Sequence, residues 1–395
     1  MTSNTATAIS AATAVFPFSA STLTEPVGGL SGASIALLLA ELAANEARPV
    51  VYFAASQPVA DPLEAAARFF APPDLRVLHF PDWETLAYDS FSPHQDIISQ
   101  RLTVLAELPA LQRGLLIVAA QCALHRLPPV EYVSARSISL TAGATLDLDA
   151  FTNRLVATGY ARVPQVTEHG EFALRGALLD VFPMGAEAPI RVDLFDDEIE
   201  TLRFFDPETQ LSGDETPGVV LLPGREIPLD KESVSGFRQR YRERFPEGAQ
   251  SQVYRDVSAG NAHGGIEYYL PLFYDHTSNL LDYLPGRALL ASNSDTNPAI
   301  DAAFEQATER FEVLNVAEER PLLRPDEAFF TPSEWRRRIT EYQQLSLSRE
   351  KPLDGIDAMA RPLPPIAIGA AQEGAAQPFV RFVKDRERAG RVLLV

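Results

Sequence analysis

Gly28-Gly29-Leu30-Ser31-Gly32-Ala33-Ser34 is a glycine-rich turn running into an apolar, helix-forming stretch. In such a turn, backbone N–H groups at a helix N-terminus can cradle phosphates. A triphosphate is gripped only when a lysine also reaches the β- and γ-phosphates, and here Gly32-Ala33-Ser34 stands where Gly-Lys-Ser would be. The chain has three lysines, Lys231, Lys351 and Lys384, and none follows a glycine and precedes Ser or Thr. The turn therefore reads as a degenerate phosphate site, with no nucleotide cofactor expected.

Other catalytic chemistry is poorly served. The six histidines, His79, His94, His125, His169, His263 and His276, are scattered, and one cysteine, Cys122, excludes an internal disulfide and a Cys-based zinc site. Cys122 lies in an apolar stretch and reads as a small core residue. The run Asp196-Asp197-Glu198 lacks the spacing of a calcium loop and reads as a solvated turn. No Gly-x-Ser-x-Gly elbow occurs. The expectation is no catalytic residue, no metal and no cofactor in this chain.

A binding surface is better supported. In Ile190-Arg191-Val192-Asp193-Leu194-Phe195, strand periodicity puts Ile190, Val192 and Leu194 on one face and Arg191, Asp193 and Phe195 on the other. The aliphatic face must be the buried one, so Phe195 is turned outward beside Arg191, the composition of a protein-binding hot spot. Upstream, Arg175-Gly176 interrupts an apolar strand and suggests a bulge that aims Arg175 outward. The alternative is that Phe195 packs beneath a loop and both arginines merely neutralise neighbouring carboxylates.

The elements that must carry these residues fall into two grammars. From about 25 to 136, helices (Ser34–Leu42, Pro62–Phe70, Asp96–Leu108) alternate with continuous apolar strands (Arg48–Ala55, Leu75–Phe80, Gly114–Ala120), the pattern of a parallel sheet covered on both faces. Residues 137–222 change to a small antiparallel α+β unit: a helix Ala150–Thr158 closed by Gly159, then strand-like runs Arg162–Thr167, Glu171–Phe182 and Pro189–Phe205, the last turning at Asp196-Asp197. Residues 223–351 return to the first grammar, with helices at Ser233–Phe245, 298–318 and 332–348 and a buried strand at Arg287–Ser292. They can complete the first sheet, which makes the middle unit an insertion. Residues 1–24 read as a disordered tail. Residues 352–395 read as a linker, over Pro352–Ala376, and the truncated start of a further α/β domain ending in the strand Gly390–Val395, so the chain reads as part of a longer protein.

Composition narrows the partners. With 34 basic against 53 acidic side chains, the net charge of −19 opposes a phosphate backbone, whose sequence-independent affinity comes from Lys and Arg displacing counterions. No apolar stretch is long enough to span a membrane. The simplest compartment is a reducing cytoplasm. The middle unit's basic residues are all arginines in an acidic setting, so an interface using them is directional.

Three long motifs carry a family resemblance. Phe80-Pro81-Asp82-Trp83-Glu84-Thr85-Leu86-Ala87-Tyr88-Asp89-Ser90-Phe91-Ser92-Pro93-His94-Gln95-Asp96-Ile97-Ile98-Ser99, Glu168-His169-Gly170-Glu171-Phe172-Ala173-Leu174-Arg175-Gly176-Ala177-Leu178-Leu179-Asp180-Val181-Phe182-Pro183 and Arg191 to Glu198 resemble the N-terminal, UvrB-like region of the bacterial transcription-repair coupling factor (Mfd) family. Arg203-Phe204-Phe205-Asp206 and Gly265-Ile266-Glu267-Tyr268 agree in order and spacing. The resemblance implies a helicase-like α/β domain with a small inserted domain that docks UvrA, the damage-recognition ATPase of nucleotide excision repair. It implies UvrA contacts through two arginines and a phenylalanine, which match Arg175, Arg191 and Phe195. It also implies that polymerase binding, double-stranded DNA and the ATP- and Mg-dependent translocase motor belong to C-terminal domains outside this chain, one of which covers the UvrA-binding surface until the motor engages.

This chain departs from UvrB in three places. The phosphate-site lysine is absent. The tyrosine-rich hairpin that probes damaged DNA would fall near Tyr88–Pro93, where the sequence runs straight into a helix. The strand Ala288–Ala291 leads into Ser292-Asn293 instead of an acidic pair for Mg²⁺. The reading is a UvrA-recruiting module without ATPase activity. Its rivals are a UvrB-type ATP-dependent DNA damage-recognition protein and a helicase-derived scaffold with no partner.

Overall fold

The structure, a computed structural model, describes Phe16, residues 25–315 and 320–360, and Val380, Arg381 and Lys384. The expected tail 1–24, apart from Phe16, most of the expected linker, and the strand Gly390–Val395 lie outside the described residues.

Seven parallel strands form the larger sheet: β1 (Val27–Gly28), β2 (Pro49–Ala54), β3 (Val77–Phe80), β4 (Gly114–Ala119), and three from the far end of the chain. Their spatial order sets β1 among the late strands at one side, followed by β2, then β4, with β3 at the other edge. Strands β2 and β4 are buried along their whole length. Their alternation serves two cores. Val50, Tyr52, Leu115 and Ile117 pack with the helix Ser34–Asn45 on one face, while Val51, Phe53, Leu116 and Val118 pack into the larger cluster on the other. This is the continuous-apolar signature of a parallel sheet covered on both sides.

Between β4 and the late strands come two further sheets. β5 (Ile138–Thr141) pairs antiparallel with β12 (Gly218–Leu221). β6 (Ala161–Arg162), β7 (Glu171–Arg175), β8 (Leu178–Val181), β9 (Ile190–Phe195), β10 (Glu198–Phe205) and β11 (Ser212–Glu215) form a six-stranded sheet in sequential order. Every pair in it is antiparallel except the short β6–β7 pair. The chain then returns to the first sheet through β13 (Leu289–Asn293), β14 (Gln343–Leu347) and β15 (Ile356–Asp357). A parallel sheet interrupted by a mainly antiparallel one is the fold class expected from the sequence.

The two parts are not independent cores. The inner face of the six-stranded sheet (Phe172, Leu179, Val181, Ile190, Val192, Leu194) belongs to the same apolar cluster as Phe53 and Val118. At the joint, buried Arg101, on the helix Gln95–Glu107, donates to buried Glu226 at 2.6 Å and to the Pro81 carbonyl at 2.9 Å. Glu267, also buried, accepts from Ser92 at 2.9 Å, and burial pushes its carboxyl up to about 7.

Several expectations need correction. The helix expected over 332–348 ends at Ile339, and Gln343–Leu347 is a strand of the parallel sheet. Gln, Glu and Leu favour helices, but Leu345 and Leu347 fill the space between β1 and β13 with period two, and packing overrides propensity. The helix expected from Pro62 begins a turn earlier, at Gln57, with Pro62 inside it. Of Arg162–Thr167 only the first residue is in a strand; Val163 and Val166 instead fold over the outer face of the six-stranded sheet, against Ala173, Phe182 and Phe205. Residues 352–360, expected as linker, run along the parallel sheet's edge, where β15 pairs with β1.

Candidate protein-docking site

The Glu171–Phe182 run is a hairpin, and the expected bulge at Arg175-Gly176 is its turn. Arg175 pairs with Leu178 across the two-residue loop Gly176-Ala177, and Gly176 takes φ +64, a conformation open to glycine at little cost. Arg175 is still aimed outward, as the last residue of β7.

The next hairpin turns at Asp196-Asp197, as the sequence indicates, with Asp196 at φ +54. Its end is tied to the segment between β5 and the helix Leu148–Ala157. The Leu146 N–H donates to the Asp197 carbonyl at 2.6 Å, the Gly143 N–H to the Ile199 carbonyl at 2.8 Å, and the Ile199 N–H to the Ala144 carbonyl at 2.9 Å. Phe195 stands on this fixed end, 71% exposed, while Ile190, Val192 and Leu194 are buried. The periodicity argument holds, and Phe195 does not pack beneath a loop.

The two arginines meet at a residue that sequence reasoning did not single out. Asp180 lies opposite Arg191 in the β8–β9 register, on the outer face of the sheet, with only 1% of its side chain exposed. Arg191 grips it with two bonds, Nε to Oδ1 at 2.8 Å and a terminal nitrogen to Oδ2 at 3.0 Å, and Arg175 reaches the same Oδ2 at 3.1 Å. The other Arg191 terminal nitrogen donates to Ser212 Oγ at 3.0 Å and the Gln210 carbonyl at 3.3 Å, and its guanidinium lies 4.8 Å from the Phe205 ring centre. The carboxylate raises the Arg191 pKa by holding its charged form. So Arg191 is on the outward face but mostly covered (18% exposed), whereas Arg175 is half open (50%). Both arginines neutralise one carboxylate, and both lie on the outward face of the sheet. The clue to Asp180 was an acid between Leu179 and Val181 in an otherwise apolar strand. Leu211, on the turn beside Arg191, adds a second large apolar side chain exposed to 71%.

The phosphate-type turn is different. Four of its donors are engaged within the chain: the Gly29 N–H on the Glu350 carbonyl (3.0 Å), the Leu30 N–H on the Ser348 carbonyl (3.1 Å), the Ser31 N–H on Ser34 Oγ (2.7 Å) and the Ser34 N–H on the Ser31 carbonyl (3.1 Å). A side chain at Gly28 would strike the Glu350 carbonyl, and one at Gly29 would strike Asp357, so residues 350–359 lie directly against the turn. Gly32 and Ala33 are exposed and Ser34 begins the helix. Lys351, which is close to this turn, is paired with Asp357 at 3.1 Å. Residues 81–94 contain no strand; Tyr88 is buried and donates to the Leu323 carbonyl.

The fold brings together one group that chain spacing hides. Ligand atoms of Asp82, Cys122 and His125 lie within 4.8 Å of one another. They suit a metal poorly. Arg101 donates to His125 Nδ1 at 3.4 Å, setting a guanidinium where a metal-bound histidine would have a carboxylate or carbonyl. Burial and that guanidinium hold His125 neutral, and burial pushes the Cys122 thiol well up.

The described residues leave a half-open arginine and their most exposed phenylalanine together on the six-stranded sheet. The class is that of proteins carrying a UvrB interaction domain, a family that matches residues 138–226. More particularly, the chain is similar to transcription-repair-coupling factors: 38% identical over 91% of its length to that of Escherichia coli, 37% over 77% to that of Haemophilus influenzae, and 25% over 67% to that of Bacillus subtilis. The resemblance read from the motifs is borne out. The chain spans 31% of the length of the E. coli protein and 27% of the H. influenzae one. No helix among the described residues is long and apolar enough to cross a membrane.

Proposed function

We propose that this chain is the UvrA-recruiting module of a transcription-repair coupling factor, one that links stalled RNA polymerase to nucleotide excision repair. Residues 137–222 are the docking domain, inserted between 25–136 and 223–351 of a UvrB-like domain that no longer turns over ATP. The observation that carries this reading is Phe195, open to solvent on a hairpin end fixed by hydrogen bonds, inside the stretch that matches a UvrB interaction domain. Arg175 and Arg191 form the polar part of the site, Arg175 the more open of the two and Arg191 mostly covered beside it. A phenylalanine exposed beside arginines has the make-up of an interface anchor.

A UvrB-type nucleotide-dependent reading is not favoured, because the turn that would receive phosphates lacks the lysine and uses four of its N–H groups on its own chain. Binding of RNA polymerase and double-stranded DNA, and the ATP- and Mg²⁺-dependent motor, are assigned to other parts of the intact cytoplasmic protein. Mixing the chain with UvrA on a sizing column tests the proposal. Co-elution is expected, and separate elution at micromolar concentrations of both would sink it.

A further inference from the structure

We propose that Asp180 is the positioning residue of the docking face, and that it divides the labour of the two arginines: Arg175 meets the partner and Arg191 is held back to fix the platform. This rests on reading the sheet face as the UvrA-docking surface.

Asp180 is a buried carboxylate on the side of the sheet that faces out, a costly placement unless its oxygens are satisfied. They are satisfied entirely by the two guanidiniums. The arrangement is unequal. Arg191 spends four bonds on Asp180, Ser212 and Gln210 and stacks on Phe205, which leaves it little to offer a partner. Arg175 makes a single bond among the described residues, through one terminal nitrogen at 3.1 Å, and its remaining donors are free. Within this triad two cations on one anion leave one net positive charge, carried by the more open Arg175, with Asp193 exposed on the same face. The chemistry this selects on UvrA is a carboxylate for Arg175 beside an apolar recess for Phe195. A guanidinium fixed before contact loses less freedom on binding.

The test uses the full chain, wild type and D180N, with UvrA flowed over the immobilised chain, and arginine Nε–Hε NMR signals recorded without UvrA. In D180N the Arg175–Asp180–Arg191 triad carries two positive charges where it had one, so association with an acidic partner is expected to be as fast or faster at low salt, while dissociation quickens by about tenfold or more. The Arg191 Nε–Hε signal, protected in the wild type, is expected to exchange away. A purely structural role would lower the melting temperature and leave the rates of the folded protein untouched, and that result overturns the proposal. So does an unchanged Arg191 signal. If D180N does not fold, D180E, which keeps the charge one methylene farther out, is expected to show the same faster dissociation, and wild-type rates in it also overturn the proposal. If the wild-type chain does not bind UvrA at all, the docking reading has failed, and the NMR comparison alone decides whether Asp180 holds the arginines.

Discussion

Two regions of this molecule present polar groups in an arrangement suited to binding, and they differ in how much of it is already used within the chain. At the glycine-rich turn, four N–H groups between Gly29 and Ser34 point to acceptors within the chain, and residues 350–359 lie against it. On the six-stranded sheet, a single buried carboxylate absorbs most of Arg191 and little of Arg175, and Phe195 has no cover. Both regions have suitable residue types. What separates them is whether the donors have already found partners, and a net hydrogen-bond gain on binding needs donors that have not.

The largest expected effect probes the joint between the parallel sheet and the six-stranded sheet. Glu267 is buried there, with its carboxyl pushed up to about 7, against an unfolded value near 4.5. The folded protein therefore holds this proton more tightly than the unfolded chain, so the stabilisation is full below about pH 4.5 and is lost as pH rises to about 7. Comparing E267Q with wild type by urea denaturation, the variant should gain on the order of 3 kcal/mol relative to the wild type between pH 5 and pH 8. Parallel pH profiles for the two proteins would show that the joint does not carry that buried charge. Next in size is Phe195→Ala, expected to weaken UvrA binding by about 2 kcal/mol, roughly thirtyfold, in calorimetry while leaving the melting temperature unchanged. An equal loss of stability would move Phe195 from the open region to the closed kind. The smallest effect is a null one. Ala33→Lys restores the cation missing from the turn, yet with four backbone donors committed and residues 350–359 lying against it, 1 mM ATP with Mg²⁺ should shift the melting temperature by less than about 1 °C. A larger shift would mean that the turn is closed only by its side chains.

The sequence made much of the fold readable because a parallel sheet writes itself as unbroken apolar runs: Val50–Ala54 and Leu115–Ala119 admit few other readings. β14 was not readable, since Gln343–Leu347 is helix-prone in isolation and becomes a strand only between two neighbours distant in sequence. At the docking face, alternation alone placed Phe195 correctly, because which face is buried is a local property of β9. The state of Arg191 was not local. It depends on Asp180 across one strand pair and on Gln210 and Ser212 across the β10–β11 turn, and no periodicity in β9 contains them. Arg175-Gly176 shows the same limit: bulge and tight turn both call for glycine, and only the pairing of Arg175 with Leu178 distinguishes them.

The ties from residues 143–146 to the end of the β9–β10 hairpin have a kinetic consequence. A ring carried on a loose loop would reach its partner in many orientations, most of them unproductive, and would have to be frozen in each successful encounter. Anchored at three backbone points, the hairpin end that carries Phe195 keeps one backbone conformation, so the entropy of ordering it is paid during folding and not again at each meeting with another protein.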